Sequence, residues 1–152
     1  MAVVSNSSPL IALEQIRQLE MLHSLFGEIL VPDQVAAETA ATVQPRPWIR
    51  QQSLSLPLLS AVQRLTLGPG EREAICLAVE VKASAILLDD DPARKLALQL
   101  GLPVVGTAGV LVLAKERQLI TAVRPCLDAL IQNRFFLAPA VYELILKRVG
   151  EM

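Results

Sequence analysis

At residues 85–92 the chain reads AILLDDDP, an apolar run that leads directly into three acidic residues and a proline. A short apolar run bounded by polar residues is typical of a strand buried on both faces, as in a parallel sheet. Asp91 followed by Pro92 predicts a helix start, with Asp91 as the N-cap and Pro92 at the first helical position. Ligands of open α/β sheets bind outside the carboxyl ends of the strands. We therefore expect Asp89 and Asp90 at the ligand-binding edge of such a sheet.

The rest of the chain alternates between strand and helix patterns around this stretch. Short apolar runs at 2–5, 29–31 and 103–105 predict further strands. Helical spacing of apolar residues predicts helices at 9–26, 32–39, 71–81, 92–100, 108–117, 125–133 and 139–149. Strands that alternate with helices form βαβ units around a parallel sheet. The sequence therefore predicts an α/β fold, a three-layer α/β/α domain with a central parallel sheet.

Two parts of this prediction rest on less regular sequence. We expect Ser7 or Ser8 to cap the first helix, with Pro9 at its first position, where the missing N–H costs nothing. In the proline-rich middle of the chain, we expect an extended strand at 48–56 and a short helix at 58–65.

The composition limits the kind of protein this is. A chain of 152 residues is one domain by length and is long enough to bury a core. Hydrophobic residues make up 53% and aromatic residues only 3%, so aliphatic side chains must build that core. The net charge of −1 excludes a strongly basic nucleic-acid carrier, so any contact with nucleic acid must be local.

Local features exclude several other classes. The longest uncharged apolar runs stop short of the roughly 18 residues that a transmembrane helix needs, so no membrane span is predicted. No positive segment precedes the first apolar residues, which argues against a secretory signal and favours a cytoplasmic location. Cys76, Cys126 and His23 lie far apart in the sequence, so neither a disulfide framework nor a zinc site is expected.

Acidic residues collect near the ends of the predicted strands. Besides Asp89 and Asp90, Glu38 and Glu71 lie in predicted helices that follow apolar strands. Carboxylates gathered at one edge of a sheet form the oxygen-rich site that Mg²⁺ or Mn²⁺ prefers. The first strand ends in Asn6, which offers an amide oxygen without a negative charge. A solvated helix face for Glu38 and a helix dipole for Glu71 are the alternative explanations.

Five segments occur in the order found in one known family. They are VVSNSSPLIAL at 3–13, VPDQV at 31–35 with Glu38, GEREAICLA at 70–78, LDDDPAR at 88–94 and VVGTAGVL at 104–111. Together with the strand and helix pattern, they resemble the PIN domain, the metal-dependent nuclease fold of many bacterial toxins. The match is closest to a PIN-like branch still labelled a domain of unknown function. The resemblance implies a single PIN-like domain over 1–152.

The resemblance also assigns residues to a site. The four acid positions of the family fall on Asn6, Glu38, Glu71 and Asp90, which would be the catalytic residues. Three of these, Glu38, Glu71 and Asp90, would hold Mg²⁺ or Mn²⁺ together with Asp89.

Three further residues are candidates for substrate binding. Ser8 matches the small hydroxyl residue that follows the first acid in the family and would support the site by hydrogen bonding. Arg94 is a candidate for holding substrate phosphates. Gly106-Thr107 resembles a phosphate-binding turn, although a tight strand–helix turn explains it equally well.

The function implied by the resemblance is a divalent-metal-dependent endoribonuclease, the toxin of a toxin–antitoxin pair or a relative of one. Its partners would be single-stranded RNA, a small antitoxin protein and a second copy of the chain in a homodimer. Asn6 in place of an acid leaves three outcomes open: a slower nuclease, a one-metal nuclease, or a non-catalytic PIN-like module that binds RNA or a protein partner.

A flavodoxin-like or receiver-like phosphotransfer domain is an unrelated alternative. Acids at strand ends would suit it, as would Thr107 and Lys115. The Asn-Ser-Ser opening at 6–8 and the Gly70-Glu71 pair do not suit it.

Overall fold

A parallel sheet of five strands forms the centre of the domain. The computed structural model describes residues 2–63 and 66–152. The strands in these residues are β1 (Val3–Ser5), β2 (Ile29–Val31), β3 (Ile49–Gln51), β4 (Ala85–Leu87) and β5 (Val104–Val105). Their order across the sheet is β3-β2-β1-β4-β5, and every neighbouring pair is parallel. The predicted α/β fold with a central parallel sheet is confirmed.

Helices connect the strands and cover the sheet. They are α1 (Ser7–Gln15), α2 (Glu20–Phe26), α3 (Asp33–Thr39), α4 (Ser60–Gln63), α5 (Pro69–Glu80), α6 (Asp91–Gln99), α7 (Thr107–Glu116), α8 (Arg124–Gln132) and α9 (Pro139–Arg148). Successive strand residues point to opposite faces, and every residue of β1, β2 and β4 is buried, so both faces are covered. No helix in the described residues has the length and apolar character to span a membrane.

Aliphatic side chains fill the space between the sheet and the helices. Leu13, Leu22, Ile86, Leu111 and Leu127 are all fully buried. A core of this kind agrees with the small aromatic content of the chain. Truncating one of these leucines to alanine would cost about 2–5 kcal/mol of stability, because the surrounding side chains cannot fully close the cavity.

The topology places a crevice at the carboxyl ends of β1 and β4. These two strands are neighbours, with Ser5 opposite Leu87, but the chain leaves β1 toward β2 and leaves β4 toward β5. The connecting segments diverge there, and such a switch point is where open α/β sheets bind ligands. The backbone N–H of Asn6 extends the pairing by donating to the Leu87 carbonyl at 3.0 Å.

Two predicted helix caps are wrong by one or two residues. Asp90, not Asp91, caps α6, because the extended backbone of Asp90 lets its Oδ2 accept from Ala93 N at 3.2 Å. In α1, Asn6 is the N-cap residue, although its side chain makes no capping hydrogen bond. Ser7 and Ser8 are already helical, and their hydroxyl groups bond to carboxylates of other segments instead.

The predicted first helix is two helices. Arg17 takes a left-handed backbone conformation, with φ of 59°, and ends α1. The Gln18 N–H donates to the Leu13 carbonyl at 2.8 Å, which closes the turn. Apolar spacing continues through this break because Leu19 and Leu22 still face the core. The periodicity therefore does not reveal the break between the two helices.

The middle of the chain is less regular than predicted. The strand expected at 48–56 is reduced to β3, since the backbone N–H groups of Ser55 and Leu56 donate to the Glu80 carboxylate rather than to a neighbouring strand. The helix expected at 58–65 is confirmed only as α4, and residues 64 and 65 lie outside the described residues.

A carboxylate near the carboxyl terminus joins α7 to α8. Glu151 accepts hydrogen bonds from Lys115 Nζ at 2.8 Å, Val123 N at 2.7 Å and Arg124 N at 2.9 Å. Burial acts to raise the pKa of Glu151, but these donors outweigh it and lower the pKa from 4.5 to about 2. The ionised carboxylate therefore stabilises the fold above pH 4.5, and this contribution is lost as the pH falls toward 2.

We expect Glu151→Gln to lower the free energy of unfolding at pH 7 by about 1–3 kcal/mol, because charge-assisted hydrogen bonds are lost. The difference from the wild type should shrink between pH 4.5 and 2, where the wild-type carboxylate also becomes neutral. Urea unfolding at several pH values measures this. Glu116→Gln, at an exposed position of α7, is the matched control and should have little effect at any pH.

Candidate metal centre

Asn6 lies at the end of β1 with its side chain on a groove. The residue is only 6% exposed, and its side chain has no hydrogen bond within residues 2–63 and 66–152. The amide opens onto the groove, so its oxygen and nitrogen are free to bond to water or to a ligand atom there. The same groove is lined by Glu71 and Asp90.

Glu71 lies in the first turn of α5, where its Oε1 accepts from the Gly68 N–H at 2.9 Å. Burial raises the pKa of the Glu71 carboxyl above 4.5, and the Asp90 and Glu38 carboxylates raise it further against the effect of the Gly68 N–H. Glu71 is therefore close enough to both other carboxylates to be affected by their charge. Of the four predicted ligands, Glu71, Asp89 and Asp90 line the groove, whereas Glu38 lies outside it and approaches Glu71 from α3.

Glu38 reaches the site from α3 and rests against the start of α5. Its Oε1 accepts a short hydrogen bond from the Ser7 hydroxyl, and its Oε2 lies 3.5 Å from Gln34 Nε2. A Cβ atom added to Gly70 would lie 2.3 Å from Glu38 Oε1. Only glycine at this position leaves room for the carboxylate. In the sequence, the signal for this role is the glycine directly before Glu71.

Gly70→Ala should displace the Glu38 carboxylate at little cost in stability. The added Cβ meets the end of a flexible side chain, and alanine favours the helix by about 1 kcal/mol over glycine, so the two effects nearly cancel. We expect a change of less than about 1 kcal/mol in the free energy of unfolding, with a smaller rise in melting temperature on adding Mn²⁺. A double-mutant cycle with Glu38→Ala is the control, since Gly70→Ala should be silent once Glu38 is absent.

Asp89 ties three segments of the chain together. Its Oδ1 accepts from Thr107 N at 2.7 Å, and its Oδ2 accepts from the Thr107 hydroxyl at 2.7 Å and from the Ser8 hydroxyl at 3.1 Å. Both oxygens are thus engaged at the starts of α7 and α1. Thr107 is fully buried, so its hydroxyl positions Asp89 and does not face a substrate in this arrangement.

Arg94 extends from α6 across the end of β4. Its Nη1 donates to the Leu88 carbonyl at 2.9 Å, and a Cβ added to Gly106 would lie 2.7 Å from that nitrogen. The side chain is half-buried and lines the same groove as Asn6 and Asp90. Since a guanidinium has five N–H donors, others remain to meet an anion in the groove.

Comparison with known proteins decides the family. A family model described as a PIN domain matches residues 2–151. The chain belongs to the PIN-domain family. A PilT N-terminus domain protein from the hyperthermophilic archaeon Sulfolobus solfataricus P2 has a similar fold, with a TM-score of 0.53 and 18% sequence identity over 72% of this chain and 90% of that one. No curated protein matches the chain.

PIN domains generally depend on divalent metal, so the donor set of this PIN domain must be compared with that requirement. In the described ranges 2–63 and 66–152, no group of three or more His, Cys, Asp or Glu side chains could hold a metal ion as those side chains lie. Mg²⁺ often uses only one or two carboxylates, with waters and substrate phosphates as its other ligands. Glu71 and Asp90 with the Asn6 amide fit one such ion better than two.

The groove of this PIN domain extends well beyond the predicted site. It encloses about 1130 Å³ and runs from the carboxylates along β5 and α7 to α9. Arg134, Phe136 and Arg148 line it as well. No local motif in the sequence marks these residues, because they belong to a loop and a helix face that meet the site only in the folded chain.

Proposed function

We propose that this PIN domain is a divalent-metal-dependent endoribonuclease that hydrolyses RNA phosphodiesters beside Asn6, Glu71 and Asp90. The observation that carries the proposal is the location of these three side chains on one groove, at the switch point between β1 and β4. The raised pKa of Glu71 supports it, since a bound cation would relieve the repulsion among the carboxylates.

Glu71 and Asp90 would hold Mg²⁺ or Mn²⁺, with the Asn6 amide as a neutral oxygen ligand. Such an ion, when bound, supplies an activated water and offsets charge developing on phosphate. The carboxylates contribute the negative charge that selects a cation. Asn6 reduces that charge by one compared with the all-acid pattern of the family, which favours a single ion.

The other predicted site residues have supporting parts in this proposal. Glu38, seated against α5 by Ser7, would act on the ion through its charge or bind it after a small side-chain movement. Asp89 and Ser8 would hold the starts of α7 and α1 in place. Arg94 would contact a substrate phosphate with the N–H groups that the Leu88 carbonyl leaves open.

Cleavage of single-stranded RNA by the purified chain, with Mn²⁺ and with chelator, tests the proposal. We expect endonucleolytic products only with metal. A thermal melt under the same conditions gives a second measurement, in which Mn²⁺ should raise the melting temperature because it binds only the folded chain. If Mn²⁺ stabilises the chain but the chain cuts neither RNA nor DNA, the protein is a metal-binding module without nuclease activity.

The second candidate is a non-catalytic PIN module that binds RNA or a protein partner. The neutral Asn6 side chain favours it, because one acid of the family pattern is absent. This candidate predicts RNA binding that weakens with salt and no cleavage at any metal concentration. Substitution of Asn6, treated in the Discussion, separates the two candidates.

We also propose the biological setting that the family suggests, a cytoplasmic toxin held inactive by a small antitoxin protein. Such a partner would cover the groove described above, and a homodimer is the expected state of the free chain. Co-expression with the product of the adjacent gene, followed by size-exclusion chromatography with light scattering, measures both. Loss of RNA cleavage in the co-purified complex is the expected result.

A further inference from the structure

The groove has two unlike parts. Glu71 and Asp90 line it with Asn6, close to the carboxyl ends of β1 and β4, and Arg134 and Arg148 line it from the loop after α8 and from α9. The acidic part suits a cation, but a polyanion needs positive charge close by. Arg134 and Arg148 would supply that positive charge.

Arg134 and Arg148 are exposed cations that the fold does not use. Neither side chain has a hydrogen bond or ion pair within residues 2–63 and 66–152. By contrast, Arg46, Arg50 and Lys115 each pair with a glutamate. Uncommitted arginines facing a groove can bind phosphate without first breaking a contact of the folded chain.

Phe136 lines the same groove as these arginines and presents an exposed aromatic ring. It is 85% exposed, the largest exposure among the exposed large hydrophobic residues of the described chain. An aromatic face open to a groove can stack on a nucleic-acid base of any sequence. We call Arg134, Phe136 and Arg148 together the basic wall.

The backbone holds the basic wall in a defined place. Arg134 ends α8 in a left-handed conformation, with φ of 69°, its N–H donating to the Ile131 carbonyl at 3.0 Å. The Phe135 N–H donates to the Leu130 carbonyl at 2.9 Å, and the Phe135 side chain packs on the core. Because Phe135 anchors the loop inward, Phe136 is presented outward on a fixed support.

A second, smaller groove continues the path past the site. It has a volume of about 260 Å³ and shares Ser8, Arg134 and Phe135 with the first. Arg134 thus faces both grooves, and the two meet beside Ser8. An extended chain could therefore lie along both grooves and pass the carboxylates, whereas a duplex keeps its bases stacked and out of reach of Phe136.

We propose that the basic wall is the strand-holding side of the nuclease site: Arg134 and Arg148 bind phosphates on either side of the scissile one, and Phe136 stacks on a base. The inference rests on the proposed function and names the residues that select single-stranded substrate. Arg134, Arg148 and Phe136 would contact the substrate strand and take no part in the bond-breaking step.

Fluorescence anisotropy with labelled single-stranded RNA, in chelator so that no cleavage occurs, tests the wall directly. We expect Phe136→Ala to weaken binding by about 5- to 100-fold, on the scale of one base stack, and to leave the weaker binding of duplex RNA unchanged. Arg134→Gln and Arg148→Gln should each reduce the slope of log Kd against log salt by about 0.7, the share of one phosphate on a single strand.

Matched controls lie outside the groove. Lys147→Gln removes the same charge from the position next to Arg148, and Leu98→Ala removes an apolar side chain that is 58% exposed. Both should bind RNA like the wild type. Equal losses in Lys147→Gln and Arg148→Gln would overturn the proposal, because binding would then depend only on net charge. Unchanged binding by Phe136→Ala would overturn it as well, and would point to a protein partner for this surface.

The inference and the proposed function fail in different ways. If the wild type cuts RNA and the variants of the basic wall bind and cut RNA normally, the proposed role of the basic wall is wrong and the proposed nuclease activity is supported. If the wild type binds RNA through the basic wall but never cuts it, the role of the basic wall is supported and the proposed nuclease activity is wrong. Where both hold, wall variants should raise KM and leave kcat within about threefold, since uniform binding is lost.

Discussion

Asp90→Asn is expected to abolish metal-dependent RNA cleavage while the fold persists. Asparagine caps helices about as well as aspartate, so its side-chain oxygen should keep the bond to Ala93 N that starts α6. The substitution removes the negative charge that, with Glu71, would hold the cation. We expect kcat/KM to fall more than about 100-fold, beyond the 10- to 100-fold typical of outer-shell changes, with the melting temperature nearly unchanged in chelator.

The adjacent acid provides the control for this substitution. Asp91 is exposed in the first turn of α6 and is neither its cap nor a neighbour that shifts the pKa of Glu71. Asp91→Asn makes the same chemical change and should leave cleavage within about threefold, since exposed charge contributes little. Equal loss in both variants, or full activity in Asp90→Asn, would rule out Asp90 as the residue that holds the ion.

Asn6→Asp is expected to act in the opposite direction. The new carboxylate would be almost fully buried beside Glu71 and Asp90, so without metal it should lower the free energy of unfolding at pH 7 by about 1–3 kcal/mol. Mn²⁺ should restore this stability and bind more tightly than to the wild type, because the site gains a charged oxygen ligand. We expect faster cleavage at low Mn²⁺ concentration.

Melting temperatures and cleavage rates across a Mn²⁺ titration measure both effects of Asn6→Asp. Asn6→Ala is the matched control, since it removes the amide without adding charge and should weaken the response to metal. Cleavage that appears only in Asn6→Asp would indicate that the wild-type protein keeps the structure of the site but has lost the catalytic activity. An Asn6→Asp chain that responds to Mn²⁺ no better than Asn6→Ala would exclude Asn6 from the site.

Local sequence predicts β1, β2, β4 and β5 well, and predicts β3 and the helix ends less well. Runs such as 29–31 and 85–88 are short, apolar and bounded by turn residues, so nothing distant competes with the local pattern. The observed cap of α6 is Asp90, whereas the sequence predicts Asp91. Which residue caps the helix depends on where β4 ends, and the pairing of β4 in the sheet determines that point. The sequence does not reveal the break at Arg17, because the buried apolar residues of α1 and α2 keep one helical spacing across it.

In the candidate site, too, the sequence predicts some features and not others. The family resemblance suffices to name Asn6, Glu71 and Asp90, which the structure places on one groove. It does not reveal that the Thr107 hydroxyl donates a hydrogen bond to Asp89. Nor does it reveal that the Glu38 carboxylate occupies the space that a side chain at Gly70 would fill. Those facts arise from segments that meet only after folding, and so does the approach of Arg134 and Arg148 to the groove.

The wide spacing of these residues has a consequence for biosynthesis. Asn6 follows β1, Asp89 needs Thr107 as its partner, and Arg148 lies in α9, so the groove is complete only after segments from residue 6 to residue 148 have folded together. A nascent chain that lacks α9 therefore lacks part of the groove. Under the proposed function, this delay would protect the translated message from cleavage until residue 148 has left the ribosome.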